Sequence, residues 1–172
     1  MEIIKMLLEE FDQEAQTTRK ILSRIPDDKY DWQPHPKSMT IRRLATHIAD
    51  IPSWVEIAIC DDELDFAAGT HNEPNINSTE QLLSFFEESL VKGRTALMNT
   101  TEDILQEPWT LRNGEQVYSV RPKVEVVRMS YSQIIHHRAQ LGVFLRLLDV
   151  PIPCSYGPSA DEMEFVPQEA QA

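Results

Sequence analysis

The residues best able to do chemistry lie together near the end of the chain, in the segment Ser132 to Asp149. Gln133 and His137 are four residues apart, as are His136 and Gln140. On a helix, that spacing places the two members of each pair one turn apart on the same face. The rest of the segment is apolar nearly all round, which is typical of a buried helix, so its polar side chains need partners. A bound metal ion is one such partner.

His47 is a second candidate, because its neighbours in sequence are apolar and Asp50 follows three residues later on nearly the same helical face. The structural interpretation is a buried imidazole that hydrogen-bonds a backbone carbonyl or Asp50. The functional interpretation is a metal ligand, since one imidazole from the second helical segment and a pair four residues apart on the last can converge from facing helices of a bundle. Three such ligands leave one position open for water or substrate, as catalytic zinc sites require. The spacing alone is compatible with both interpretations.

Four helical segments must position these side chains. Apolar residues recur every three or four positions along each segment, which is the pattern of an amphipathic helix. Pro52 lies inside the second segment and predicts a kink or a break near residue 50. Apolar and polar residues alternate on both sides of Asn113-Gly114, which predicts a small β-hairpin. The predicted elements are helices over 1–25, 40–60, 78–100 and 123–148, a hairpin over 108–121, and loops over 26–38 and 61–77 in which His35 and His71 are solvated.

The predicted fold is all-α, a four-helix bundle with a small β-hairpin before the last helix. A chain of 172 residues is expected to form one domain, here 1–172, with an extended tail over 155–172. The net charge of −12 argues against binding to nucleic acid or to anionic membranes. No apolar run approaches the roughly 20 residues that span a bilayer, and the acidic N-terminus lacks the features of a signal peptide. Cys60 and Cys154 are far apart in sequence and form no CxxC motif, so a reduced cytoplasmic location is expected.

Three segments together resemble the DinB-like, or damage-inducible, family of bacterial metal-binding bundles. They are DWQPHPKSMTIRRLATHIADIPSW, HHRAQLGVFLRLLDVPIP and the closing YGPSADE. The resemblance implies a four-helix bundle, commonly dimeric, that holds a divalent metal, often zinc or nickel, with three histidines. His47 matches the first histidine and His137 the third. Gln133 stands where the family has the second.

Three outcomes of this substitution are open. Gln133 ligates the metal through its carbonyl oxygen, a harder and weaker donor than imidazole. Alternatively, His136 rotates in to replace the missing ligand, although it lies about 100° round the helix from His137. In the third outcome the site holds no metal and is a polar pocket. Asp50 either orients His47 by a hydrogen bond or faces solvent.

Other residues match the family near the site. Arg138 and Gln140 occupy the positions of its Arg-Gly-Gln motif, for which a structural role closing the end of the bundle is favoured over catalysis. The tail also contains a matching motif, whose residues have two possible roles. They either cover the site and supply a carboxylate there, or they cap and pack on the helices. Capping and packing is the preferred interpretation for these residues, Tyr156, Asp161 and Glu162.

Two functions follow from the resemblance. The first is a metal-dependent, transferase-like enzyme in which His47, Gln133 and His137 hold the metal. The metal lowers the pKa of a low-molecular-weight thiol, and the thiolate attacks an electrophile. The second is a non-catalytic metal- or small-molecule-binding protein of a stress response. Direct binding to nucleic acid is disfavoured by the negative charge, and a homodimer is expected by resemblance alone.

Overall fold

The structure, a computed structural model, describes residues 3–69 and 74–163. It is 61% helical and contains one small sheet of three strands. Predictions for residues 70–73, including His71, and for 164–172 of the tail lie outside the described residues. The helices are α1 (Ile3–Leu22), α2 (Ile41–Asp50), α3 (Trp54–Cys60), α4 (Thr79–Asn99), α5 (Glu102–Leu105) and α6 (Lys123–Leu147). The strands are β1 (Glu63–Asp65), β2 (Pro108–Asn113) and β3 (Gln116–Pro122).

The predicted second helix is divided in two at its proline. A 3₁₀ turn over Ile51–Ser53 separates α2 from α3, which confirms the predicted break. Proline cannot donate the hydrogen bond that an α-helix needs at that position. Thr40 caps the N-terminus of α2, where its side chain accepts a hydrogen bond from the backbone N–H of Arg43.

The turn at Pro52 also fixes how α4 packs. A Cβ atom added to Gly93 of α4 would lie 2.2 Å from the carbonyl oxygen of Pro52. Only glycine permits this approach of the two backbones. The sequence presents Gly93 as a weak point of a helix, whereas the structure shows it as a packing requirement.

The predicted hairpin forms and is part of a larger sheet than expected. The Asn113-Gly114 turn forms, with Gly114 at a φ of 58°, but β1 pairs in parallel with β2 and extends the hairpin to three strands. The Asp65 carboxylate accepts a hydrogen bond of 2.8 Å from the backbone N–H of Gly114, which joins β1 to the turn. The predicted loop over 61–77 therefore contains a strand. Two-stranded ribbons are marginal alone, so the added strand stabilises the hairpin.

Two further boundaries differ from the prediction. Helix α1 ends at Leu22 rather than at Ile25, because the backbone N–H groups of Arg24 and Ile25 bond three residues back instead of four. The short helix α5 was not predicted and is capped by the side chain of Thr101. The prediction of four helices is therefore too coarse for this chain.

Helix α6 contacts α1 on one side and the α2–α3 pair on the other. The remaining sides of the core are closed by α4, which packs on α1, α2 and α3. Tyr131 of α6 is fully buried, and its hydroxyl donates to the carbonyl oxygen of Leu7 in α1 at 3.0 Å. Because α6 has different neighbours on its two sides, His137 and Arg138 lie in different environments although they are adjacent in sequence.

Candidate metal centre

His47 of α2 and His137 of α6 face each other across the interface between their helices. Their ring centroids lie 4.7 Å apart with the ring planes at 80°. Both side chains are half-buried. Spacing alone could not show whether these two imidazoles meet, because they lie ninety residues apart in sequence. In the structure they are in contact.

Gln140 determines how the His137 ring is presented. Its amide oxygen lies 3.1 Å from Nδ1 of His137, and its amide nitrogen lies 3.1 Å from Nε2 of His136. In the tautomer in which Nδ1 of His137 carries the proton, the amide oxygen accepts it. In the neutral ring, Nε2 of His137 then holds the free lone pair. A metal-binding histidine is commonly fixed by such a hydrogen bond to its other ring nitrogen.

Trp54 and Asp50 support the other histidine. The Trp54 ring packs against His47 with centroids 5.3 Å apart and planes at 68°. The Asp50 carboxylate accepts a hydrogen bond of 2.9 Å from the Trp54 indole N–H and one of 3.2 Å from the Ser53 hydroxyl. Asp50 is half-buried and holds the tryptophan that packs on His47, so it does not simply face solvent.

The remaining donors are Gln133 and His136. Gln133 is half-buried and lies one turn before His137 on the same face of α6. His136 is exposed, and its ring lies 4.9 Å from that of His137. Within residues 3–69 and 74–163, no group of three or more His, Cys, Asp or Glu side chains is placed to hold a metal ion. The family resemblance, rather than a contact in the structure, makes the Gln133 amide the candidate third ligand beside the two facing histidines.

The histidine pair fits a shared metal ion. Imidazole nitrogens bind zinc at about 2 Å, which places the centroids of two rings on one ion roughly 5 Å apart. The observed 4.7 Å is compatible with that value, and equally with the edge-to-face packing of two rings without an ion. Imidazole suits zinc and nickel, whereas an amide oxygen is a harder ligand. Two imidazoles and one amide form an uncharged set of donors.

Arg138 lies on a different side of α6 and faces α1. Its guanidinium forms a buried ion pair with Glu14, with Nη1 2.6 Å from Oε2, and donates to the Thr18 hydroxyl at 3.1 Å. The other guanidinium nitrogen donates to the Tyr156 hydroxyl at 2.6 Å, and that hydroxyl donates to Glu14 at 2.7 Å. Burial, together with the hydrogen bond to Glu14, raises the pKa of Tyr156 to about 12.

The tail follows α6 and is held by its acidic residues. Asp161 pairs with Arg146 and accepts the backbone N–H of Ile152 at 2.8 Å. Glu162 accepts the backbone N–H of Cys154 and pairs with Arg24 of α1. These contacts cap and pack the tail.

The tail lies away from the histidine pair. Arg146 is nine residues after His137, which is two and a half helical turns, so the two residues lie on opposite faces of α6. Among the described contacts, those of Tyr156, Asp161 and Glu162 go to α1, α6 and the tail itself.

Two supporting residues were not identified from the sequence. Glu14 lies on the apolar stripe of α1, three residues after Phe11. A carboxylate at a buried helical position indicates a cationic partner elsewhere in the core. Trp54 lies four residues after Asp50, a spacing that permits contact on one helical face. The helix break between them conceals this signal.

Comparison with known proteins identifies the family. The DinB family model matches residues 2–171 of this chain. The chain belongs to the DinB family. A relative in this comparison, the uncharacterized protein YrdA of Bacillus subtilis, is 24% identical over 156 residues, which cover 90% of this chain and 89% of YrdA. The DinB family is generally metal-binding.

Solved structures share the DinB fold. A DinB-like protein of Bacillus subtilis has a TM-score of 0.68 at 15% identity and covers 93% of this chain and 99% of its own. The mycothiol-dependent maleylpyruvate isomerase has a TM-score of 0.59 at 16% identity. It matches 81% of this chain, which spans 60% of the isomerase. At these identities the likeness concerns the fold. No helix within the described residues is long and apolar enough to cross a membrane.

Proposed function

We propose that this DinB-family protein is a metal-dependent enzyme that activates a low-molecular-weight thiol for attack on an electrophile. The observation that carries the proposal is the contact between His47 and His137, with ring centroids 4.7 Å apart. The fold likeness to a mycothiol-dependent isomerase supports thiol chemistry, and membership of a generally metal-binding family supports the metal.

His47, Gln133 and His137 would hold the metal, zinc or nickel. When bound, a divalent ion lowers the pKa of a thiol, so that the sulfur is present as the nucleophilic thiolate at neutral pH. Since none of the three side chains is anionic, they leave the positive charge of the ion available to the thiolate. Three protein ligands leave a coordination position for it.

Other residues of the chain keep the two imidazoles in place. The Gln140 amide contacts Nδ1 of His137 and Nε2 of His136. Trp54 packs against His47 and is itself fixed by Asp50. These contacts limit the rotation of both rings, which reduces the cost of organising the site when a ligand enters.

The first experiment is metal analysis of protein purified without an affinity tag or chelator, for the wild type and the variants His137→Ala and Gln133→His. The proposal expects near-stoichiometric metal in the wild type, its loss in His137→Ala, and tighter retention in Gln133→His. His35→Ala, in a loop, is the matched control and should keep the metal. Metal that persists at the wild-type level in both His137→Ala and His47→Ala would contradict the proposed site.

The second experiment separates an enzyme from a binding protein. Loss of a free thiol is followed with a chromogenic electrophile and several low-molecular-weight thiols, using the metal-loaded wild type and His47→Ala. Turnover that depends on His47 supports the enzyme. Stoichiometric metal without turnover would favour the non-catalytic binding protein, an alternative that the presence of Gln133 in place of a histidine supports.

A further inference from the structure

A groove of about 560 Å³ lies on the face of α6 opposite His137. Its walls are α6, the C-terminal half of α1 and the tail from Ile152 to Tyr156. Ala139 and Gly142 of α6 leave space along the helix surface because they carry at most a methyl group. The volume falls within the roughly 300–1,000 Å³ that is typical of small-molecule sites. The groove is separate from the histidine pair.

Apolar side chains form most of this groove. Ile21 of α1, Ile135 of α6 and Ile152 of the tail line it, together with Val143 and Leu147. Val143 and Leu147 are 59% and 60% exposed, although both lie on a helix that is otherwise packed. Covering such surface stabilises a complex by about 25 cal/mol for each Å² of apolar area removed from water. The groove therefore suits a ligand with an apolar body.

The charges around the groove are unlike those of the rest of the chain. None of its fourteen lining residues is acidic, although the chain has 28 Asp and Glu residues. Two lining residues are Arg138, which is 5% exposed, and Arg146, which is half-exposed at the mouth. Guanidinium groups recognise carboxylates by paired hydrogen bonds. The groove therefore offers cationic donors beside its apolar walls.

The two carboxylates described beside the groove already have hydrogen-bonding partners. Glu14 lies behind Arg138, where it is buried and accepts the Tyr156 hydroxyl. Asp161 is paired with Arg146 and bonded to the backbone of Ile152. Each of these two carboxylates is thus paired with the arginine beside it, which offsets its negative charge. Arg146 contacts Asp161 through both terminal nitrogens, and because a guanidinium carries five N–H donors, this pairing does not use all of them.

We propose that this groove binds a small organic carboxylate with an apolar body. The apolar part lies along Ile21, Gly142 and Val143, and the carboxylate lies at the mouth near Arg146. The inference does not depend on the proposed thiol chemistry, because it concerns the opposite face of α6.

The test is a calorimetric titration of the full chain with octanoate and, separately, with 1-octanol. One saturable site is expected, and octanoate should bind about tenfold more tightly than the alcohol, since one charge-assisted hydrogen bond contributes roughly that factor. His137→Ala should bind octanoate as the wild type does, which excludes coordination to a metal at the histidines. Arg146→Gln should abolish the preference for octanoate.

Gly142→Leu is the blocking variant. An added Cβ at Gly142 meets only Ile21 Cδ1, at 3.6 Å, so a larger side chain is expected to enter the groove without disturbing the backbone. Octanoate affinity should fall about tenfold or more in this variant, while thermal unfolding stays at or above that of the wild type. Val91→Leu, an exposed position on α4, is the control.

Three results would overturn the inference. They are equal octanoate affinity in the wild type and Gly142→Leu, equal affinity for octanoate and octanol, and absence of saturable binding up to millimolar octanoate. Sedimentation supplies an independent check. A dimer that Gly142→Leu dissociates would show that a second copy of the chain occupies this face instead of a carboxylate.

Discussion

Gln140 contacts the two adjacent histidines of α6, His136 and His137, with the two ends of its side-chain amide. The amide oxygen lies 3.1 Å from Nδ1 of His137, one turn back along the helix. By resemblance, the sequence favours a structural role for Gln140 at the end of the bundle. In the structure it orients the ring of a candidate ligand that already contacts His47.

Replacing Gln140 with leucine should weaken metal binding while leaving the fold intact, a prediction that rests on the proposed function. Loss of the residue that orients a metal-bound histidine typically costs about 10- to 100-fold in metal affinity. Competition for zinc with a chromophoric chelator measures the change. Ser132→Ala, an exposed α6 residue bonded within its own helix, should match the wild type. Unchanged zinc affinity in Gln140→Leu would show that Gln140 does not position His137.

The Glu14–Arg138 pair should be the most sensitive electrostatic contact in the protein. Both side chains are about nineteen-twentieths buried, so Glu14→Ala leaves a cation without its partner and should cost about 3–5 kcal/mol in the free energy of unfolding. The half-exposed pair of Arg19 and Glu87 provides the comparison. Glu87→Ala should cost less than about 1 kcal/mol. Urea denaturation of both variants tests the difference, and equal losses would contradict it.

Tyr156 should make stability fall at alkaline pH. Its pKa is raised to about 12 in the folded protein, by burial and by Glu14, from an ordinary value of 10.0. A group with a raised folded pKa contributes its full stability below the unfolded pKa and loses it as pH rises through the folded one. The free energy of unfolding should therefore decline between about pH 10 and 12, and Tyr156→Phe should reduce the slope. Parallel profiles for the two proteins would rule out this contribution.

Two glycine-to-alanine substitutions should change stability in opposite directions. Gly93→Ala places a Cβ atom 2.2 Å from the Pro52 carbonyl oxygen, so the overpacking should cost about 1–3 kcal/mol. Gly142→Ala meets only a methyl group at 3.6 Å and should stabilise the protein by up to about 1 kcal/mol through helix propensity. Thermal unfolding of both variants measures the shifts. A stabilising Gly93→Ala would mean that α4 and the Pro52 turn are not in close contact.

The sequence alone was sufficient for the long helices, the break at Pro52 and the hairpin turn, but not for β1 or α5. Periodicity predicted the long helices, Pro52 predicted the break in the second of them, and Asn113-Gly114 predicted the turn of the hairpin. These signals were reliable because each depends on backbone preferences within a few residues. Family motifs, rather than spacing, selected His47, Gln133 and His137 from the other polar residues.

Tertiary structure decided the contacts between distant segments. Glu14 and Arg138 are 124 residues apart in sequence, and neither helix alone shows that the other carries the partner charge. β1 lies in a polar segment whose strand character depends on pairing with β2. From the sequence, Gly93 is only a residue of low helix propensity, and its close contact with Pro52 is visible only in the folded structure. A short sequence pattern reflects the conformational preferences of a single segment. Burial and strand pairing depend on which other segment packs against it in the folded chain.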